Sequence, residues 1–141
     1  MSPGLRNDVA ALADWWSGHS ASLTEDVRGL WFGLFGRVGA DGEPTHALYV
    51  TGAPSFEFGD GGNWACGSVC EPTDRYVQLD GLAAIDPADW QAALDHAVAL
   101  VSAVEPWQSS PHGVVGVGVG FDDGDVAVVW TRRGSVLPAK A

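Results

Sequence analysis

The chain has 141 residues, and seven Lys and Arg against eighteen Asp and Glu give it a formal charge of −11 with 46 % hydrophobic content. That length suits a single domain, residues 1–141, able to bury roughly two thirds of its unfolded surface. The composition excludes a disordered chain, and no apolar run is long enough to cross a bilayer.

The negative field repels phosphate backbones and anionic lipid headgroups, so nucleic acid and membrane surface are poor partners. A basic protein or a cationic small molecule is favoured, although acidity also serves solubility or a salty cytoplasm without any partner. The opening MSPGLRNDVA lacks a basic segment followed by an apolar one, which gives cytoplasmic location as the expectation. Seven tryptophans are the other compositional departure. Tryptophan supplies large buried area and is enriched at binding hot spots.

In chain order, NDVAALADWWSG places Val9, Leu12, Ala13 and Trp16 on one helical face, with Asn7 or Asp8 as the cap and Gly18 at the end. VRGLWFGLFGRV, residues 27–38, is aromatic and interrupted by glycine, which suits a strand buried on both faces. A turn centred on Asp41 and Gly42 would set Phe35 opposite Leu48 and Leu34 opposite Tyr49. SFEF, NWAC and RYVQLDGL then read as a meander of short strands.

Asp86, Pro87 and Asp89 mark a helix start, and Trp90, Leu94, Ala97, Val98 and Val101 form its apolar stripe up to Pro106. Gln91, Asp95, His96 and Ser102 fall elsewhere on that helix. The last hairpin, GVVGVGVGFDDGDVAVVW, would pair Phe121 with Val126, Val119 with Val128 and Val117 with Trp130. Gly116, Gly118 and Gly120 then form a bare face that must receive a packed element or be roofed by aromatic side chains. The order helix, strands, helix, hairpin lacks βα alternation. It predicts a two-layer α+β domain, an antiparallel sheet of about five or six strands with two helices on one face.

No motif settles the chemistry. Cys66 and Cys70 are separated by three residues, against the two of a redox pair or zinc knuckle, and His19, His46, His96 and His112 are scattered singles. Small buried thiols are the simpler reading; a disulfide across the turn is the other, opposed by a reducing cytoplasm. GVGVGF lacks the dinucleotide register, and DDGD matches a calcium loop in composition alone. No cofactor and no metal is expected.

Only the stretch around NWACGSVC concentrates charge beside an aromatic anchor. Glu57, Asp60, Glu71 and Asp74 flank Trp64 there, the layout of a surface that captures a basic partner. The inward alternative buries Trp64 and leaves the acids as turn formers. In composition and architecture the chain resembles small acidic immunity or antitoxin-type proteins of bacteria, and this resemblance implies a non-catalytic module that docks on a basic toxin or enzyme. The competing expectation is a small enzyme or small-molecule-binding domain with a Trp-lined pocket near Cys66 and His112.

Overall fold

Ser2 and Pro3 start the first helix. The Leu5 amide donates to Ser2 Oγ at 3.2 Å, and Pro3 occupies the first helical position, where its missing amide costs nothing. The helix, α1, spans Pro3–His19. It begins before the expected Asn7 or Asp8 cap, because Ser2-Pro3 already meets the requirement of a helix start. Asp8 therefore lies inside α1 and is buried. Leu12 and Trp16 enter the core with Val9 packed beside them, whereas Ala13, expected on the same face, is exposed.

The computed structural model describes residues 2–19, 27–38, 42–53, 76–77, 79–108, 114–121, 126–131 and 134–135. After α1 come β1 (Gly29–Val38), β2 (Pro44–Ala53), β3 (Tyr76–Val77), α2 (Asp80–Ala83) and α3 (Trp90–Val104). A single 3₁₀ turn at Pro106–Gln108 leads to β4 (Gly116–Phe121), β5 (Val126–Thr131) and β6 (Gly134–Ser135). The sheet order is β3-β2-β1-β4-β5-β6, so four long strands are flanked by two-residue strands at either edge.

The fold is α+β, but the sheet is mixed: β1 pairs with β4 in parallel and the other pairs are antiparallel. An all-antiparallel sheet was the expectation because adjacent strands were read as hairpins. The parallel contact joins strands far apart in sequence, whose long connection carries α2 and α3, as a parallel crossover requires. Part of RYVQLDGL, expected as one strand, divides into the short β3 and the helix α2. SFEF and NWAC lie outside the described residues.

Both hairpin registers differ from expectation by one residue, the first along its whole length and the second along part of it. Leu34 faces Leu48 and Phe35 faces Ala47, because five residues from 39 to 43 separate the paired Val38 and Pro44, with Gly42 at a φ of 83°, a conformation that favours glycine. In the second hairpin Val117 faces Trp130 as expected, but Val119 faces Ala127 and Gly120 faces Val126. A bulge opposite Val117 and Gly118 inserts Val129. Val129 joins the core and Trp130 packs against it.

β1 is central, and Gly29 through Leu34 are all buried, as its composition foretold. Its even positions Leu30, Phe32 and Leu34 meet Val117 and Val119 from β4, Leu48 and Val50 from β2, and Leu12, Leu82, Leu94, Ala97 and Leu100 from the three helices in one cluster. The helices thus cover one face. Val27 is fully buried and fills the space at Gly52, where a Cβ would come within 2.6 Å of it.

On the opposite face Trp31 lies beside Gly118, and Gly33 lies beside Gly120. The Tyr49 ring, directly across from Gly33, occupies the volume that a Cβ at Gly33 would need. Trp31 Nε1–H donates to the Tyr49 hydroxyl at 3.0 Å, and the Phe35 ring meets Tyr49 edge-on at 5.8 Å. Gly33 is therefore roofed by an aromatic residue of the neighbouring strand. Gly116, Gly118 and Gly120 are buried as well.

α3 starts three residues later than expected, with Asp89 in place of Asp86 as its cap. The Asp89 side chain caps it by accepting from the Ala92 amide at 3.0 Å, while Asp86 closes the preceding turn by accepting from the Ala88 amide at 2.9 Å. Ala93, Leu94, Ala97, Leu100 and Val101 form its buried stripe. Trp90, expected within that stripe, is 49 % exposed; it is the first residue of α3, and its ring meets that of Phe121, the last residue of β4, edge-on. At the other end Glu105 adopts a left-handed φ of 52°, and its amide donates to the Val101 carbonyl at 3.0 Å.

Replacing Gly33 with Ala should displace the Tyr49 ring and break its bond to Trp31, costing about 1–3 kcal/mol in urea denaturation. The same replacement in a Tyr49→Ala background should cost much less. Equal costs in the two backgrounds would show that the ring does not set the requirement for glycine.

Candidate functional site

The sequence-derived contact residues Glu57, Asp60, Trp64, Glu71 and Asp74 lie outside the described residues, as do Cys66, Cys70 and His112. Of the histidines, His46 and His96 have described side chains, and each makes a defined hydrogen bond.

His96 projects from the middle of α3 toward Asp8, its Nε2 lying 2.7 Å from Asp8 Oδ2, with 13 % and 1 % of the two side chains exposed. The same carboxylate accepts from the Gly81 amide at 2.9 Å and from the Leu82 amide at 2.8 Å. Those amides belong to the first turn of α2, whose own cap residue, Leu79, offers no side-chain acceptor. Asp8 therefore caps α2 from a different helix, supplying the acceptor that a local Ser or Asp would normally provide. A carboxylate oxygen can only accept, so His96 Nε2 brings the hydrogen.

The backbones of α1 and α2 must approach closely for this. A Cβ at Gly81 would fall 2.5 Å from the Gly4 carbonyl oxygen and 2.8 Å from Asp8 Oδ2. One side chain thus ties α1, α2 and α3 together beneath the surface. Sequence reading placed Asp8 at a helix start because Asp is a common cap; it is a cap, but of another helix.

The second arrangement lies at the end of the sheet where β4 stops. Val38 is 68 % exposed, and it and Trp90 are the large hydrophobic residues exposed among those described. The Trp90 ring meets Phe121 edge-on at 6.5 Å, and Phe121 in turn lies 6.5 Å from the His46 ring. His46 is buried and its Nε2–H donates to the Asp86 carbonyl at 2.9 Å. That bond pins the turn before α3 to β2 and so places the indole of Trp90.

Even positions on β1 and β2 share the helix-bearing face, which puts Val38, Pro44, Gly36 and His46 at this same end. The exposed carboxylates of Asp86 and Asp89 stand beside it. Between Tyr76 and Thr131 the sequence contains no Lys or Arg. The acidic residues of that stretch therefore face no Lys or Arg from within it, and a partly exposed indole stands next to Asp89 in the chain.

Other described aromatic residues pack against one another. Trp107 stacks on Trp130 with centroids 5.3 Å apart and planes 7° from parallel. Trp16 packs 6.3 Å from Phe32. Among the described residues no group of His, Cys, Asp and Glu is arranged to hold a metal ion, and no described helix is long and apolar enough to cross a membrane. No protein-family model, curated protein or solved structure matches the chain.

Asp8→Ala would leave three donors without their acceptor and should lower stability by about 3–5 kcal/mol, with Asp8→Asn falling between that variant and the native chain. Urea denaturation measures both. A loss below about 1 kcal/mol for Asp8→Ala would show that water replaces the carboxylate at little cost.

Proposed function

We propose that this protein is a non-catalytic binding module that captures a basic protein through an acidic surface. The observation that carries the reading is Trp90. It is a half-exposed indole held in position by Phe121 and the pinned turn at Asp86, next to carboxylates and within a chain of charge −11. A preorganised aromatic residue supplies contact area at little entropic cost, and the surrounding charge steers a cationic partner and repels anionic ones.

The resemblance to immunity and antitoxin-type proteins gives the partner a chemical character: a basic toxic enzyme whose active cleft the acidic face would occupy. On this reading the protein works in the cytoplasm, and Glu57, Asp60, Trp64, Glu71 and Asp74 extend the contact surface. A catalytic or ligand-binding pocket near Cys66 and His112, which lie outside the described residues, is the competing reading.

The test is affinity capture with the tagged protein from its native lysate, followed by identification, purification and rebinding of what is retained. A single basic protein should be recovered, with an association rate that falls by about tenfold or more between low and physiological ionic strength. Its enzymatic activity should be blocked in the complex. Recovery of nothing specific, or of a partner whose association ignores salt, would refute the reading. Loss of an intrinsic activity on Cys66→Ala would favour the competing one.

A further inference from the structure

We draw no further inference here: the strongest candidate, the Asp8–His96 side-chain cluster at the junction of α1, α2 and α3, serves to cap α2 and belongs to the arrangement already described.

Discussion

The buried carboxylate of Asp8 is the interaction on which the helical layer depends. α2 is only four residues long, too short to persist through its own hydrogen bonds. It exists because its first amides find an acceptor on α1 and because Leu82 is buried beneath it. His96 brings α3 to the same oxygen. Removing a carboxylate from water is costly, and three donors converging on it recover that cost only if all three helices hold their places. The geometry therefore specifies how α1, α2 and α3 meet, which apolar contact alone would leave open to sliding.

The sheet shows the complementary device. In β4, bulky residues alternate with glycine, and in β1 Gly33 lies between Trp31 and Phe35 on the face turned away from the helices. Tyr49 reaches over Gly33 and is held there by Trp31 and Phe35. The aromatic residues on this face do what branched aliphatic residues do on the other: they exclude water from the central strand. Because the roof comes from the neighbouring strand, the register of β1 on β2 and the packing of the rings specify each other.

At the end of the sheet where β4 stops, Trp90 and Val38 are exposed and Phe121 is half-buried. The hydrogen bond from buried His46 to the Asp86 carbonyl fixes the chain just before α3, so the exposed indole rests on a rigid base and the carboxylates beside it are held by turn and cap geometry. An exposed aromatic residue placed in this way loses little freedom when it is covered by a partner. The absence of cationic side chains from Tyr76 through Thr131 gives that part of the surface its sign.

The sequence by itself determined the features that depend on near neighbours. The α+β composition, the doubly buried β1, the apolar arc of α3 through Leu94, Ala97 and Val101, and the two-sided character of β4 all follow from side-chain periodicity, which local backbone geometry enforces. Tertiary structure decided the rest. The parallel pairing of β1 with β4, the bulge at Val129, the role of Asp8 as a cap for α2, and the exposure of Trp90 each join residues distant in sequence or depend on where a layer ends. A helical stripe says which way Trp90 turns, but only the length of the opposing strand says whether anything is there to cover it. An aspartate can satisfy any amide within reach, and reach is set by the packing of three helices, a property no local pattern encodes.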